Sequence, residues 1–427
     1  MTTPDSDLPE TTAVSDAVRA SYQRHPYPPA DSLELFWRLP PWQWMRSAAS
    51  PGRPVSTPPR RVLVAGCGTG REAYAIASAF PKARVVAFDF SARAIEIARS
   101  HAAHFSGNCP EFVQADICDP QLQKIAGQGQ GFNFISCQGV ASYVPDLPAA
   151  LKQIRDCLSP KGFLYLGVNG SGHHSRRLRP LLSQIGVDPQ SLETAGAEEK
   201  ARAVLRMYEI LTRRREGELS DESTAYIAND VFGPINRCLP LADWLEACRA
   251  TGLHYRGSLG TARFMAETFR LELISPLLGL SKEGVAGFLD GLLSDVFHSL
   301  ILTRGADPVP DFSALQSGDP VKSEAFMQWR PLVDLWSRQE LGGVAPHDRI
   351  LTMTLSIPGV HRRTSFDCPF GVVELLHHAD GKASLRSLWR TLPRLNKLRP
   401  VDVAPYLFGL YHSSMLSFLP ASSGSDS

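Results

Sequence analysis

Three glycines stand at alternate positions, Gly66, Gly68 and Gly70, directly after the small and apolar run Val62–Ala65. Glycine suits a turn in which the backbone has positive φ, or in which a ligand closely approaches the main chain. A loop that binds the pyrophosphate of a dinucleotide needs its third glycine at position 71, where Arg71 stands instead. The spacing therefore favours a ligand without a phosphate, one that presents an amino acid moiety and a nucleoside.

Carboxylates close the next two apolar segments of the chain. Asp89 ends the segment 83–89, and Asp116 follows the segment 111–115. An acid at the tip of the second strand of a doubly wound sheet can accept hydrogen bonds from both hydroxyls of a ribose, so we assign that role to Asp89. Either acid also has a simpler interpretation, as a cap before the next helix without any ligand.

Alternating strands and helices must bring these residues to one edge of a sheet. Five apolar segments predict buried strands: 62–65, 83–89, 111–117, 132–138 and 163–168. Helical segments separate them, and Ser91 is suited to cap one of these helices. Strands that alternate with helices in this way predict a parallel sheet with helices on its faces.

The order of glycines, strands and acids resembles that of the class I S-adenosylmethionine (SAM)-dependent methyltransferases through five consecutive strands. The resemblance implies a Rossmann-like α/β fold on a seven-stranded, mostly parallel sheet, with SAM as cofactor and S-adenosylhomocysteine as product. It implies that the glycine loop contacts the methionine end, that Asp116 bonds to the adenine amino group, and that Ile117 packs on the ring. Cys67, Phe90 and Gln138 adjoin these motifs and are further candidates to contact the cofactor.

Aromatic residues and prolines crowd the segment before the glycine motif. A short helix ends in the pattern Tyr22-x-x-x-Pro26-Tyr27-Pro28, and proline cannot continue a helix, so a stiff aromatic loop follows. The segment resembles that of a bacterial methyltransferase subgroup in which it closes over the SAM pocket. The resemblance implies that Tyr22 and Tyr27 lie at the cofactor or methyl-transfer end. The alternative is an aromatic segment that only packs on the core.

Candidate catalytic residues follow the fourth and fifth strands. Tyr143 lies where many members of the resembled family carry paired histidines, so it either lines the pocket near the methyl group or only packs. His173 and His174 follow the fifth strand, at the edge where open α/β sheets bind ligands. The ordinary histidine pKa of about 6.5 would let either one take a proton from an acceptor. The alternative is a solvated loop before a basic helix.

The second half of the chain predicts helical insertions and a separate module. We take 254–257 and 298–303 as the closing strand pair of the sheet, with insertions at about 171–240 and 265–297 that shape the acceptor pocket. Beyond residue 305, a helix-turn-helix pattern around Asp380-Gly381 resembles a small, mainly helical, winged-helix-like module. The predicted parts are a disordered tail (1–15), an N-terminal helix and aromatic cap (16–60), a methyltransferase domain (61–305), a regulatory or docking domain (306–420) and a second disordered tail (421–427).

Composition excludes several classes of function. A formal net charge of +1 gives no overall attraction to nucleic acid or to an anionic membrane. No apolar run reaches the roughly 18 to 20 residues that span a bilayer, and the first ten residues lack the features of a signal peptide. The eight cysteines form no C-x-x-C pair, so we expect reduced thiols and a cytoplasmic location. His377 and His378 have no matching Cys or acid pair, so we expect no metal site.

Together these features predict a SAM-dependent methyltransferase that moves a methyl group directly to a nitrogen or oxygen acceptor. Catalysis of this kind is mostly alignment of the nucleophile with the methyl group. The insertions and the C-terminal module make a larger recognition surface than a small metabolite requires, which slightly favours a protein or peptide acceptor. The alternatives are a bulky small molecule as acceptor and a non-catalytic SAM-binding scaffold. The C-terminal domain is equally consistent with a homodimer interface.

Overall fold

The computed structural model describes residues 11–29, 42–49, 58–187, 196–231, 233–267, 270–306, 308–317, 319–333, 350–356 and 363–421. The predicted tails at 1–10 and 422–427, and residues 30–41 of the predicted aromatic cap, lie outside these ranges. The chain forms two compact units. Unit 1 comprises residues 1–38, 59–253 and 290–299, and unit 2 comprises residues 39–58, 254–289 and 300–427.

The described strands form one large sheet and two strand pairs. The strands are β1 (Arg61–Ala65), β2 (Arg84–Asp89), β3 (Glu111–Gln114), β4 (Phe132–Gln138), β5 (Leu158–Asn169), β6 (His254–Ser258), β7 (Phe297–Thr303), β8 (Arg330–Val333), β9 (Ile350–Ser356), β10 (Arg363–Pro369) and β11 (Leu416–Leu419). The large sheet has the order β3-β2-β1-β4-β5-β7-β6. Strands β1 to β5 pair in parallel, whereas β6 and β7 pair antiparallel. The pairs β8–β11 and β9–β10 are also antiparallel.

Helices connect these strands and build the rest of both units. They are α1 (Thr11–Arg24), α2 (Trp42–Ala49), α3 (Arg71–Ala79), α4 (Ala92–Ser100), α5 (Leu122–Gly127), α6 (Leu147–Cys157), α7 (Ser175–Gln184), α8 (Ala197–Thr212), α9 (Thr224–Tyr226), α10 (Leu241–Ala250), α11 (Leu259–Glu267), α12 (Leu271–Ile274), α13 (Lys282–Leu293), α14 (Pro320–Met327), α15 (Phe370–His378), α16 (Leu385–Thr391) and α17 (Pro400–His412). A π-helix, Ile227–Val231, directly follows α9.

The sheet is the seven-stranded, mostly parallel sheet that the sequence predicts, including the closing pair β6–β7. Strands β1, β2 and β5 are buried over nearly their whole length, as expected for parallel strands with helices on both faces. Because β1, β2, β4 and β5 run in the same direction, the residues that follow them meet at one edge of the sheet. The chain continues from β1 to one side and from β4 to the other. Ligands bind at such a switch point in open α/β sheets.

The N-terminal helix differs from its prediction at the start. The sequence assigns residues 1–15 to a disordered tail, but α1 begins at Thr11. Apolar residues at 14, 18 and 22 repeat every four positions, which gives this segment one apolar helical face. Val18 on that face is buried in a small cluster with Ile235. The helix therefore begins within the segment that composition assigns to a disordered tail.

Unit 2 has its own hydrophobic core. Met265 and Val285, from α11 and α13, share one buried cluster with Leu375 and Phe408, from α15 and α17. The sequence predicts that the insertion 265–297 belongs to the methyltransferase domain and shapes the acceptor pocket. In the structure, residues 265–289 belong to unit 2, where buried apolar side chains of α11 to α13 pack with the C-terminal helices, whereas residues 290–297 belong to unit 1. The C-terminal region contains the predicted helix, turn and helix as α15 and α16, and its winged-helix character remains a prediction.

Candidate active site

The loop between β1 and α3 brings backbone groups to the carboxyl edge of the sheet. Gly66, Gly68 and Gly70 have φ values of +62°, +52° and +91°, in the left-handed region that favours glycine. A Cβ on Gly68 would lie 2.0 Å from the carbonyl oxygen of Tyr27, and one on Gly66 would lie 2.3 Å from Cγ2 of Val140. The conformation and the close approach together require glycine at these two positions.

Asp89 ends β2 beside this loop, and its side chain is buried. Its Oδ2 accepts a hydrogen bond from the Gly68 N–H at 2.9 Å, and its Oδ1 accepts one from the Ser91 N–H at 2.8 Å. Burial raises the pKa of Asp89 to about 6, although these backbone N–H groups oppose the rise. Each carboxylate oxygen has a second lone pair, so the carboxylate can also accept two hydroxyl groups. This pair of acceptor oxygens fits the two hydroxyls of a ribose.

The predicted adenine residues lie after β3. Asp116 accepts a hydrogen bond from the Cys118 N–H at 2.9 Å and contacts Arg19 at 3.4 Å, and its side chain is 41% exposed. Ile117 is buried. The bond to Cys118 is that of a turn-capping acid, while the exposed remainder of the carboxylate is open to an adenine amino group. The assignment of Asp116 and Ile117 therefore remains a prediction.

The other cofactor candidates occupy the same edge at different depths. Cys67 is buried within the glycine loop, where burial raises the pKa of its thiol well above the usual range. Phe90 follows Asp89, and Gln138 ends β4, where its amide donates to the Tyr165 carbonyl at 3.2 Å. Cys67 is therefore a neutral packing residue of the loop, and the bond to Tyr165 holds Gln138 against β5.

The N-terminal segment lies directly against the glycine loop. The Thr69 N–H donates to the Tyr27 carbonyl at 3.3 Å, and the Thr69 hydroxyl donates to the Pro28 carbonyl at 2.9 Å. The Arg71 guanidinium donates to the Pro29 carbonyl at 2.6 Å. These bonds hold the segment against the loop, and its closure over a SAM pocket remains a prediction.

Tyr22 connects the cofactor residues to a second group of polar side chains. Its ring meets Phe90 edge to face, with centroids 5.6 Å apart. Burial raises the pKa of Tyr22 well above its usual value, and the nearby charges of Asp230 and Asp89 raise it further. Tyr22 thus feels the charge of both acids, one at the end of β2 and the other in the π-helix.

We name Tyr22, Tyr143, Tyr226 and Asp230 the acidic tyrosine cluster. Burial is the largest cause of the raised pKa of each tyrosine, and the charge of Asp230 comes second in all three. Tyr143 also has a side-chain hydrogen bond with Asp230. One carboxylate therefore lies beside three neutral phenols. Asp230 belongs to the π-helix, a rare form that is frequent at functional sites.

A chain of hydrogen bonds extends from the cluster into the protein. The Asn169 amide, at the end of β5, donates to the Tyr143 hydroxyl and to the Asn236 side-chain oxygen, each at 2.8 Å. The Asn236 amide donates to the Ser175 hydroxyl at 2.8 Å, and that hydroxyl lies 2.7 Å from Nδ1 of His173. His173 and Tyr143 are therefore linked through three side chains, and Tyr143 is the one that touches Asp230.

The two histidines are buried, which excludes the solvated-loop alternative. Burial, aided by Arg179 and Arg214, lowers the pKa of His173 to about 4. Burial and the neighbouring ring lower the pKa of His174 to about 3, and its Nε2 lies 2.9 Å from the Tyr226 hydroxyl. Both rings are neutral at neutral pH and are weak bases there. A catalytic role for them remains a prediction, and their geometry favours positioning over proton transfer.

Sequence reasoning missed Asp230, Asn169 and Asn236 as members of the site. Asn169 had a usable signal, since a polar residue directly after a buried strand belongs to the ligand-binding edge. Asp230 and Asn236 lie in the helical insertion and have no local motif. Only the tertiary fold brings them to the end of β5.

Residues 63–164 match the family model of the methyltransferase domain. The match and the fold confirm the predicted class I methyltransferase fold and SAM as its cofactor. Among solved structures, PKMT2 from Rickettsia typhi in complex with AdoHcy is similar with a TM-score of 0.52 and 16% identity, over 92% of this chain and 77% of that one. At this identity the likeness shows the fold alone.

Curated relatives match only part of their length. An uncharacterized protein of Synechococcus sp. is 30% identical over 164 residues, which is 36% of this chain and 37% of the relative. A ubiquinone biosynthesis O-methyltransferase of Haemophilus ducreyi is 30% identical over 107 residues, which is 25% of this chain and 44% of the relative. The chain thus spans less than half of each relative. Within the described residues, every helix is too short or too polar to cross a bilayer.

Proposed function

We propose that the protein is an enzyme that transfers the methyl group of SAM to a nucleophile bound at the acidic tyrosine cluster. The glycine loop would hold the methionine end, Asp89 the ribose, and Asp116 with Ile117 the adenine. The observation that carries the proposal is the position of Tyr22. Its ring packs edge to face on Phe90, next to Asp89, and the adjacent Ser21 hydroxyl donates to the side-chain oxygen of Asn229, next to Asp230, at 2.8 Å. Because of it, the residues suited to the cofactor and the cluster belong to one site.

The side chains of the cluster favour an amine nitrogen over a hydroxyl as the acceptor. When bound, SAM supplies an electrophilic methyl group on a positively charged sulfonium. The Asp230 carboxylate and the phenol oxygens of Tyr22 and Tyr226 accept hydrogen bonds, and an amine offers more N–H groups to them than a hydroxyl does. Tyrosine faces also attract cations, which suits an amine that arrives as ammonium. An ammonium has no free lone pair, so it must first lose a proton, for which the Asp230 carboxylate would be the acceptor in the cluster. The chain's remaining part in the reaction is alignment of the nitrogen lone pair with the methyl group.

A protein or peptide side chain is the acceptor that we favour, as the size of the insertions in the sequence suggests. A second candidate is an oxygen on a bulky small molecule. It is supported by the partial match to the O-methyltransferase of Haemophilus ducreyi, whose name places that enzyme in ubiquinone biosynthesis. The third candidate is a SAM-binding scaffold without turnover.

Incubation of the purified protein with methyl-labelled SAM and a cell extract tests the proposal. We expect label in the macromolecular fraction, and on nitrogen when the labelled product is hydrolysed and examined by mass spectrometry. Asp230→Asn should lower the labelling rate by roughly a hundredfold, the lower end for loss of an acid–base or orienting group, and leave the SAM dissociation constant unchanged. Asp221→Asn is the matched control, since Asp221 is an acid of the same insertion with a side chain 71% exposed.

Each outcome decides between the candidates. Label in a small-molecule fraction, on oxygen, would favour the second candidate over the first. Binding of SAM by calorimetry without label in any fraction would favour the scaffold. Absence of SAM binding would overturn the whole proposal.

A further inference from the structure

Two acids and a histidine gather where α13 is followed by β7, in unit 1. The Nε2 atom of His298 lies 3.7 Å from Oδ1 of Asp290, and its Nδ1 atom lies 3.9 Å from Oδ2 of Asp295. One ligand atom from each residue lies within 4.8 Å of those of the other two. These separations are too long for hydrogen bonds between the side chains. The three groups face one another without direct bonds.

The histidine has an unused nitrogen in this group. His298 is 3% exposed, and its Nε2 atom is buried without a hydrogen-bond partner among the described residues. The ring has a backbone partner at Leu239. A buried imidazole nitrogen without a hydrogen-bond partner beside two carboxylates is unusual in a protein interior, where buried polar atoms normally have partners.

We propose that Asp290, Asp295 and His298 bind a divalent transition-metal ion such as Zn²⁺. Imidazole nitrogen suits zinc and its neighbours, whereas Mg²⁺ and Ca²⁺ prefer oxygen ligands alone. Zinc bonds of about 2.0–2.1 Å in tetrahedral geometry place two ligand atoms about 3.4 Å apart. The 3.7 Å between Nε2 and Oδ1 matches this to within a few tenths of an ångström. A water molecule would complete the set of ligands.

Backbone bonds already hold one of the proposed ligands in place. Asp290 accepts from the Leu241 N–H at 2.8 Å through Oδ2, and from the Asp295 N–H at 3.1 Å through Oδ1. Such outer contacts orient a ligating carboxylate and are a regular part of metal sites. Asp295 has a side chain 38% exposed, which gives an ion a route from solvent. The site is rigid on one side and accessible on the other.

The ion would stabilise the loop that supports the end of β5. The N–H of Gly170 donates to the Val296 carbonyl at 2.9 Å, and that of Gly172 donates to the Asp295 carbonyl at 3.1 Å. A Cβ on Gly170 would lie 2.9 Å from Nε2 of His298. Gly170 directly follows Asn169, which bonds to Tyr143. A metal ion here would therefore have a structural role beside the acceptor site and no contact with the reacting atoms.

Zinc titration of the full-length protein tests this site without depending on methyl transfer. The protein is first dialysed against a chelator, and Zn²⁺ binding is then followed by calorimetry, with Co²⁺ as a visible-absorption probe. We expect one ion per chain. Asp295→Asn should raise the dissociation constant by at least about tenfold, the effect of losing an outer-shell partner alone, and His298→Ala should abolish binding.

A matched control separates this site from ordinary histidine binding. His101 is also buried with one ring nitrogen unpartnered among the described residues, but it is not part of a group of three possible ligands. His101→Ala should bind Zn²⁺ as the wild type does. If His298→Ala fails to fold, Asp295→Asn decides, because its side chain is partly exposed. Equal zinc affinity in wild type and Asp295→Asn, or no saturable binding by wild type, would overturn the proposal.

Discussion

The two halves of the carboxyl edge in unit 1 are built in different ways. On the side proposed for the cofactor, here called the cofactor side, the glycine loop follows β1, Asp89 ends β2 and Asp116 follows β3, all within a short part of the chain. On the side proposed for the acceptor, here called the acceptor side, Tyr22, Tyr143 and Asp230 come from three distant segments. A hydrogen bond between Ser21 and Asn229, 208 positions apart, joins two of these segments. Local motifs therefore specify the first half, and tertiary packing assembles the second.

This difference separates the expected effects of mutations. Changes on the cofactor side should alter the dissociation constant of SAM, and changes on the acceptor side should alter turnover while SAM binding stays constant. Tyr22 is the exception, because it feels the charge of acids of both halves.

The largest effect is expected for Asp89→Asn on the cofactor side. An amide cannot replace a carboxylate that accepts both backbone N–H groups and ribose hydroxyls, so the loss should be about 2 to 3 kcal/mol, or roughly 30- to 150-fold in the SAM dissociation constant. Calorimetric titration with SAM measures it. Asp119→Asn is the control, since Asp119 also accepts a backbone N–H, at 2.7 Å from Gln121. Unchanged SAM affinity in Asp89→Asn would remove Asp89 from the cofactor site.

A smaller effect is expected for Tyr143→Phe on the acceptor side. The variant removes the Tyr143 hydroxyl, which accepts a hydrogen bond from Asn169 and bonds to Asp230. The Asp230 carboxylate therefore loses one of the contacts that orient it. We expect a fall of about tenfold in kcat, equivalent to about 1.4 kcal/mol, with SAM affinity within twofold of wild type. Steady-state kinetics with the labelled acceptor measures this.

The matched control for that variant is Tyr74→Phe. Tyr74 is likewise buried and donates one hydrogen bond, to the Ala98 carbonyl at 2.8 Å. Its loss should lower the free energy of unfolding by about 1 kcal/mol and leave kcat unchanged. If both variants slow turnover equally, the effect comes from packing and the division between the two halves fails.

Acidification should weaken SAM binding through Asp89. Its folded-state pKa of about 6 lies above the ordinary 3.8, so protonation begins as the pH falls through 6. Well below that value the SAM dissociation constant should rise about tenfold per pH unit if only the carboxylate binds the ribose. The folding stability of the protein without SAM depends on the ionisation of Asp89 in the opposite sense. An acid with a raised pKa destabilises the fold once ionised, so that cost is present above pH 6 and is relieved toward pH 4. SAM titrations at several pH values should show the slope in wild type and its absence in Asp89→Asn.

The smallest effect is expected for Arg19→Ala. The ion pair with Asp116 spans 3.4 Å between side chains 47% and 41% exposed, and solvent screens such pairs. The change in SAM affinity should stay below about 0.5 kcal/mol, or about twofold. A larger loss, measured in the same titration, would show that Arg19 orients Asp116 and would extend the cofactor side to α1.

Sequence patterns predicted the sheet around the proposed cofactor site because its determinants are local, while the roles of the individual residues there remain predictions. Apolar strands, glycines with positive φ and acids at strand ends appear in the chain in the order in which they appear along the sheet. Local apolar segments likewise predicted the strand pair β6–β7. Position along the sheet edge also indicates Tyr143 and the two histidines. The structure links Tyr143 to His173 through Asn169, Asn236 and Ser175, and it brings the Tyr226 hydroxyl to His174.

The acceptor side and the core of unit 2 were less predictable. Asp230 is an acid in a helical insertion, and no spacing rule connects it with Tyr143 on the other side of β5. The apolar residues of α11 to α13 have a helical pattern, but such a pattern does not show which other element the apolar face packs against. The sequence alone therefore places these helices in the preceding domain and not in the C-terminal core. Burial of the histidines also changes their chemistry, since it lowers their pKa below the range that the sequence suggests.

The wide turn of the π-helix has a consequence for the acceptor side. Such a turn holds one more residue than an α-helical turn, and Asp230 lies within it. Deletion of a single residue between positions 227 and 229 would restore ordinary helical geometry and rotate the following side chains by about 100°. The carboxylate would then leave the tyrosines while every residue of the glycine loop stayed in place. The length of one turn therefore decides whether the proposed acceptor side keeps its carboxylate, independently of any substitution where the cofactor is proposed to bind.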